Sequence, residues 1–231
     1  MSGYPSHPLN TGEPLRLGLF DLDGTLIDSA PDLALAIDAM LQSLDLAPAG
    51  EARVRQWIGK GAERLVQTAL THALGAEAIE RSTDLQATAM TRFMTFYDAH
   101  CTERTRLYPD ARPLLLRWHA AGVVLAIVTN KPLHFTRKIL AALQVDALFA
   151  HVLGGDGPAG KKPSPRPLLS VCEASGIPVA QALMIGDSAN DVGAARAAGI
   201  SVVCVTYGYN HGHPVAATNP DRLVDSLAEL G

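Results

Sequence analysis

The sequence predicts an α/β fold: a doubly wound, Rossmann-like parallel sheet core that carries an inserted all-helical cap domain. Five short runs are almost continuously apolar rather than alternating, which is typical of strands covered on both faces. Helical patterns separate the last four runs, as in chains that alternate strands and helices. Residues 21–122, between the first two runs, show helical patterns and no comparable run. The predicted strands are Leu17–Phe20, Val123–Val128, Phe149–Leu153, Ala182–Ile185 and Val202–Val205.

Helical periodicity fills the connections of the predicted core. Apolar residues recur at helical spacing after Pro132 and again after Pro165, and a third helical pattern covers Ala189–Ala198. The last pattern stops at Gly199, and glycine is common just beyond the end of a helix. Each connection is therefore long enough and regular enough to cross over between parallel strands.

The insert after the first strand is predicted to be helical. Pro31 is a favourable first-turn residue, and apolar residues recur at helical spacing after it and again over 65–73 and 85–96. We therefore expect a division of the chain into three parts. These are a flexible N-terminal tail at 1–14, an α/β core at 15–27 and 105–231, and a helical cap at 28–104.

Composition excludes several classes of function. The 231 residues carry a net charge of −4 and no dense basic run, which argues against strong electrostatic binding to nucleic acid. The longest strongly apolar run, Val123–Val128, is too short to span a bilayer, and the N-terminus lacks the pattern of a signal peptide. Three cysteines, far apart and odd in number, indicate a reduced chain. We expect a cytoplasmic monomer or small homo-oligomer that binds neither nucleic acid nor a membrane.

Polar residues follow the predicted strands at the ends where an open parallel sheet binds its ligands. Each group alone has an ordinary explanation, such as a helix cap, an acidic turn or a solvated lysine loop. An EF-hand calcium loop is disfavoured because no late Glu follows the first acids at the required spacing. Four groups at one edge of one sheet indicate a functional site. The groups are Asp21, Asp23, Gly24 and Thr25 after the first strand; Thr129, Asn130 and Lys131 after the second; Lys161 and Lys162 before the fourth; and Asp187 and Asp191 after it.

These residue types suit phosphoryl transfer. Several acids at one place need a cation, and oxygen ligands favour magnesium or calcium, with magnesium preferred when the substrate carries phosphate. One carboxylate can attack phosphorus and form an aspartyl-phosphate. A second carboxylate can protonate the leaving oxygen and later deprotonate water. A lysine and a threonine can bind the phosphoryl oxygens.

Four segments resemble the sequence motifs of the haloacid dehalogenase superfamily of phosphohydrolases, in the family's order and over residues 16 to about 210. They are "FDLDGTLIDS", "IVTNKP", "KKPSPRP" and "MIGDSANDVGAARAAG". Dehalogenases of this fold do not need an acid two residues after the nucleophile, so Asp23 favours phosphate chemistry over carbon–halogen cleavage. The resemblance implies a Mg²⁺ cofactor, and it implies that the helical insert is a cap that closes over the site. It also implies these roles: Asp21 as nucleophile; Asp23 as general acid and base; Thr129, Asn130, Gly24, Thr25 and Lys162 toward the phosphoryl group; and Asp21, the backbone carbonyl of Asp23, Asp187 and Asp191 at or near the metal.

Other segments are similar to bacterial phosphoglycolate phosphatases, among them "VRQWIGKGAERLVQTAL" and "VTYGYNHGH". This similarity implies that the small metabolite bound is 2-phosphoglycolate, whose carboxylate needs a partner, and Lys60 and Arg64 are the nearest candidates. The family pattern has Asn where this chain has Lys60. His211 and His213 are interpreted as part of a surface loop rather than as a metal site. Three alternatives stay open: a phosphatase of another small ester such as a sugar phosphate, a phosphosugar mutase, and a protein that binds a phosphate compound without turnover.

Overall fold

The computed structural model describes residues 4–9, 11–76 and 83–231. Its strands are β1 (Leu17–Phe20), β2 (Ile27–Asp28), β3 (Arg106–Leu107), β4 (Val124–Val128), β5 (His151–Leu153), β6 (Ala182–Gly186), β7 (Ser201–Val205) and β8 (Arg222–Val224). Six of them form one parallel sheet in the order β5-β4-β1-β6-β7-β8. The five predicted strands are present, whereas β8 was not predicted. Leu17 of β1 is aligned with Val124 of β4 and Ala182 of β6, so these three strands end at the same edge.

Helices cover both faces of this sheet, as a doubly wound fold requires. The described helices are α1 (Ala30–Ser43), α2 (Glu51–Val54), α3 (Ala62–Leu74), α4 (Thr83–His100), α5 (Ala111–Ala120), α6 (Leu133–Ala142), α7 (Arg166–Ser175) and α8 (Ala189–Ala198). On one face Trp118 of α5 packs against Phe20, with ring centroids 5.6 Å apart. On the other face Leu168 of α7 and Val192 of α8 share an apolar cluster with Leu19. The predicted fold class is confirmed.

Helices α1–α4 lie between β2 and β3. These two short strands pair antiparallel, with Ile27 opposite Leu107 and Asp28 opposite Arg106. Beside them Asp32 of α1, which is fully buried, accepts hydrogen bonds from the backbone N–H groups of Arg104 and Thr105 at 2.8–3.0 Å. The two points at which the chain passes between the sheet and the helical insert are therefore bound to each other.

The N-terminal segment that we expected to be a loose tail makes specific contacts with the core. The backbone N–H of Leu15 donates to the carbonyl of Pro5 at 3.1 Å. The His7 side chain is buried, and its Nε2 lies 3.5 Å from the carbonyl of Ala182 at the start of β6. Residues 1–3 and 10 of that segment, like residues 77–82 of the predicted cap, lie outside the described residues.

Candidate active site

The four polar groups predicted from the sequence meet at the carboxyl edge of the sheet. Asp21 follows β1, Thr129 follows β4 and Asp187 follows β6, and each of the three is buried. Lys162 arrives from the loop before α7, and its Nζ lies 2.9 Å from Oδ1 of Asp21 and 2.6 Å from Oδ1 of Asp191. A cation is thus held between the first and the fourth predicted group.

Asp191 fixes the position of this lysine. It lies in the first turn of α8, where Ser188 is the N-cap. While Oδ1 receives Lys162, Oδ2 accepts hydrogen bonds from the Ser188 backbone N–H at 3.0 Å and the Ser188 hydroxyl at 2.7 Å. A side chain at Gly186 would place its Cβ 2.4 Å from the Cβ of Asp191, so only glycine fits beside it. Burial opposes the charge of Lys162, but Asp191 and Asp21 offset burial and raise the pKa of the lysine, so it stays protonated.

Asp187 is held by the loop that follows β7 and by the loop that follows β1. Its Oδ2 accepts the backbone N–H of Tyr209 at 2.6 Å, and its Oδ1 accepts the Thr25 hydroxyl at 3.3 Å. Gly24 has a φ of +86°, and a Cβ there would lie 2.3 Å from Oδ2 of Asp187. Gly24 and Thr25 therefore shape the surroundings of Asp187, and Thr25 is fully buried behind it.

The carboxylates form a cluster that fits a hard divalent cation. One oxygen each of Asp21, Asp187 and Asp191 lies within 4.8 Å of the others. Burial raises the pKa of Asp21 to about 6, with Lys162 opposing the shift and Asp191 adding to it. Burial, followed by the charges of Asp191 and Asp21, raises the pKa of Asp187 well above its usual range. Three buried acids beside one lysine leave an excess of negative charge, and oxygen-only donors suit Mg²⁺ or Ca²⁺.

Asp23 has partners that the sequence did not assign to it. The Lys131 ammonium lies 2.9 and 3.2 Å from its two carboxylate oxygens, and the Ser29 hydroxyl donates to Oδ1. Only 3% of the Lys131 side chain is exposed, and its Nζ lies 4.9 Å from the ring centroid of Tyr97 in α4. The sequence places Lys131 after the second strand without indicating a role, and Tyr97 has no signal beyond its place near apolar residues of a predicted helix.

Asn130 connects loops instead of pointing freely at a ligand. Its Oδ1 accepts the backbone N–H of Lys162 at 2.8 Å, and its Nδ2 donates to the carbonyls of Lys162 at 3.0 Å and Gly59 at 3.2 Å. Thr129 lines the pocket, and its hydroxyl accepts the backbone N–H of Lys131. Lys161, by contrast, is exposed and lies 3.7 Å from Glu63.

The structure does not bring Lys60 and Arg64 into the pocket. Gly59 and Gly61 line it, while Lys60 between them is exposed. The reason is that this cap loop docks through its backbone: the Gly59 carbonyl accepts the side-chain amides of Asn130 and Asn190, each at 3.2 Å. Arg64 is also exposed and donates to Gln67 at 2.8 Å.

His211 is not a plain surface residue. Its ring is half-buried and its Nε2 lacks a hydrogen-bond partner among the described residues. A Cβ at Gly59 would lie 3.0 Å from its Cε1, so His211 packs against the cap loop. Burial, with the charge of Lys60 second, lowers the pKa of this histidine, which favours the neutral ring.

Among the described residues, the part of the pocket lining that comes from the cap is mainly apolar. The core side carries the acids, both buried lysines and Thr129, whereas the cap side presents aliphatic and aromatic groups and the backbone of two glycines. Burial raises the pKa of the Tyr97 hydroxyl well above 10, so it keeps its proton. The cap-side residues are Leu33, Ile58, Gly59, Gly61, Ala62, Leu65, Phe93 and Tyr97.

Comparison with known proteins shows to which family this chain belongs. The family model of the haloacid dehalogenase-like hydrolases matches residues 15–199. The chain therefore belongs to the haloacid dehalogenase-like hydrolase family, and within it the chain is a phosphoric monoester hydrolase.

Individual proteins that are similar to this chain give a more specific comparison than the family model. A phosphoglycolate phosphatase of Pseudomonas fluorescens strain Pf0-1 is 44% identical over 231 residues, covering 100% of this chain and 83% of its own length. The phosphoglycolate phosphatase of Escherichia coli K12 is 43% identical, covering 96% of this chain and 93% of its own. A crystal structure described as a predicted phosphoglycolate phosphatase from Haemophilus somnus 129PT has a TM-score of 0.89 at 40% identity, covering 93% of this chain and 96% of that one. The resemblance drawn from the sequence motifs is confirmed.

None of the described helices combines the length and the apolar composition that a membrane crossing requires.

Proposed function

We propose that the chain is a magnesium-dependent phosphatase that hydrolyses 2-phosphoglycolate to glycolate and phosphate through an aspartyl-phosphate. The observation that carries the proposal is the 2.9 Å contact between Asp21 and Lys162 in a pocket that Asp23 also lines. Two carboxylates and an ammonium are thus in one place, which supports their roles as nucleophile, acid and cation for the phosphoryl oxygens. The relatives named phosphoglycolate phosphatase support the choice of substrate.

In the first half of the reaction a carboxylate oxygen of Asp21 attacks phosphorus. The new bond joins Asp21 to phosphorus, and the bond between phosphorus and the ester oxygen of glycolate breaks. For this step Asp23 carries a proton in place of its ion pair with Lys131, and it donates that proton to the leaving oxygen. Lys162, held by Asp191 at 2.6 Å, stabilises the charge on the phosphoryl oxygens without having to reorganise.

In the second half water attacks phosphorus of the aspartyl-phosphate. Asp23, now deprotonated, takes a proton from this water, and the bond between phosphorus and Asp21 breaks. Phosphate leaves and both aspartates return to their starting states. The apolar cap side keeps other water away, which strengthens the electrostatic interactions inside the pocket.

Magnesium fits the carboxylate cluster, and a bound ion supplies positive charge that neutralises the phosphoryl oxygens. Asp21, Asp187 and the backbone carbonyl of Asp23 would hold it. Asp191 belongs to the same oxygen cluster, but Lys162 and Ser188 already occupy its two oxygens. We therefore assign Asp191 to the positioning of Lys162.

A panel of phosphate esters tests the proposed function. Phosphate release with Mg²⁺ is measured for 2-phosphoglycolate, glucose 6-phosphate and β-glucose 1-phosphate, and sugar products are analysed for isomerisation. We expect kcat/KM for 2-phosphoglycolate to exceed that for each sugar phosphate by about tenfold or more. Faster release from a sugar phosphate would move the assignment to that ester, and isomerisation without release would identify a mutase.

A further inference from the structure

We propose that the Tyr97 hydroxyl and the Lys131 ammonium form the subsite that binds the carboxylate of the substrate. This inference rests on the proposed function, because it names the groups that select 2-phosphoglycolate among small phosphate esters. It gives the role first expected of Lys60 and Arg64 to two residues that line the pocket.

Tyr97 presents a buried hydroxyl that has no partner. The residue is 1% exposed, and its oxygen has no hydrogen-bond partner among the described residues. Its ring is fixed between Phe93, stacked at 5.5 Å, and Phe135, edge-on at 4.9 Å. A buried hydroxyl without a partner is unfavourable. Tyr97 is one of the residues that line the pocket, and we assign its hydroxyl to a ligand acceptor there.

Lys131 is the cation on the leaving-group side. Among the described residues that line the pocket, the cations are Lys131 and Lys162. Lys162 is bound to Asp21, where phosphorus must sit. Lys131 is bound to Asp23, the proposed acid at the ester oxygen, and lies over the Tyr97 ring at 4.9 Å. In 2-phosphoglycolate the carboxyl carbon is only two bonds from that ester oxygen, so the carboxylate reaches the neighbourhood of Lys131.

The remaining cap side disfavours substrates with many hydroxyls. Among the described residues there, Tyr97 contributes the polar side chain, and the others are aliphatic, phenyl or glycine. A sugar phosphate would bury several hydroxyls against these groups, and each hydroxyl without a partner weakens binding. One carboxylate, received by one ammonium and one hydroxyl, matches what the pocket offers.

Tyr97→Phe is the decisive variant, because it removes one oxygen and keeps the ring. Lys131→Met is less selective, since Lys131 also holds Asp23. The paired substrates are 2-phosphoglycolate and ethyl phosphate, which has a methyl group in place of the carboxylate. We expect Tyr97→Phe to lower kcat/KM for 2-phosphoglycolate on the order of 10- to 100-fold, mainly through KM, and to change ethyl phosphate less than about twofold. Tyr4→Phe, on the N-terminal segment against Arg16, is the matched control and should change neither.

A binding measurement separates this inference from the proposed function. Calorimetry with Mg²⁺ compares 3-phosphonopropionate, a stable analogue of 2-phosphoglycolate, with propylphosphonate, which lacks the carboxylate. We expect the wild type to prefer 3-phosphonopropionate and Tyr97→Phe to lose that preference while keeping its melting temperature. If 2-phosphoglycolate is no better a substrate than ethyl phosphate, the proposed function fails, and the binding result still decides on the subsite. Equal binding of both phosphonates to the wild type, or equal losses on both probes in Tyr97→Phe, would overturn the subsite.

Discussion

Asp23→Asn separates the acid–base role of this residue from its structural role. General acid–base catalysis contributes on the order of 10²- to 10⁴-fold, or about 3–5 kcal/mol of barrier. We therefore expect kcat for 2-phosphoglycolate to fall by that factor. Nitrophenyl phosphate needs no proton on its leaving group, so its first step should be nearly unaffected while hydrolysis of the aspartyl-phosphate slows. A stopped-flow trace should show a burst of nitrophenolate close to one equivalent per site.

The same change removes the counter-charge of Lys131. Its ammonium lies 2.9 Å from Asp23 and its side chain is 3% exposed, so the variant should lose about 3 kcal/mol of stability. This value is the lower end for breaking a buried ion pair, because the Tyr97 ring still faces the ammonium. Adding Lys131→Met should restore most of the stability, measured by urea unfolding, without restoring turnover. Turnover of 2-phosphoglycolate within about threefold of wild type, or equal losses on both esters without a burst, would refute the acid–base role.

Three further outcomes follow from the contacts. Mg²⁺ should raise the melting temperature more at pH 7.5 than at pH 5. The pKa of Asp21 is raised to about 6 and that of Asp187 is raised as well, so the metal-free folded site holds protons at low pH and loses stability as pH rises through that range. A Mg²⁺ effect on the melting temperature that is independent of pH would contradict this. Asp32→Ala should cost about 3–5 kcal/mol in chemical unfolding, since it leaves the backbone N–H groups of Arg104 and Thr105 and the buried Thr105 hydroxyl without an acceptor. A loss below about 1 kcal/mol would show that water replaces the carboxylate. Lys60→Ala should change kcat/KM for 2-phosphoglycolate less than about twofold, because Lys60 is exposed outside the pocket lining; a tenfold rise in KM would return the carboxylate contact to the cap loop.

The core of the site was predictable because topology alone brings it together. Asp21 and Asp187 each follow a continuous apolar run, and parallel strands must present such residues at one edge. Lys162 and Asp191 belong to the same predicted groups, the motif resemblance implied their roles, and the structure adds that they contact each other. The parallel pairing of β1 with β6 therefore brings the residues that follow these two strands to the same edge of the sheet.

The cap side was not predictable, since it depends on how one loop turns and how helices pack. Lys60 suggested a substrate contact by charge, yet the cap loop turns so that the Gly59 carbonyl and not the lysine faces the core. Tyr97 lies in an apolar helix pattern, where an aromatic residue usually indicates packing, and only its unpartnered oxygen distinguishes it. The contacts of the N-terminal segment, such as that of His7 with Ala182, join residues far apart in sequence and leave no local pattern.

The central claim is that Asp21 carries the phosphoryl group during turnover. The most direct measurement is an acid quench of Asp23→Asn during the burst with nitrophenyl phosphate, followed by borohydride reduction, proteolysis and mass spectrometry. Reduction converts a phosphorylated aspartate to homoserine, so the modified position can be read from the peptide that contains residues 16–28. We expect the mark on Asp21, close to one per chain, and no mark or turnover in the folded Asp21→Asn protein. A burst without a mark on Asp21, or a mark on another residue, would contradict the account.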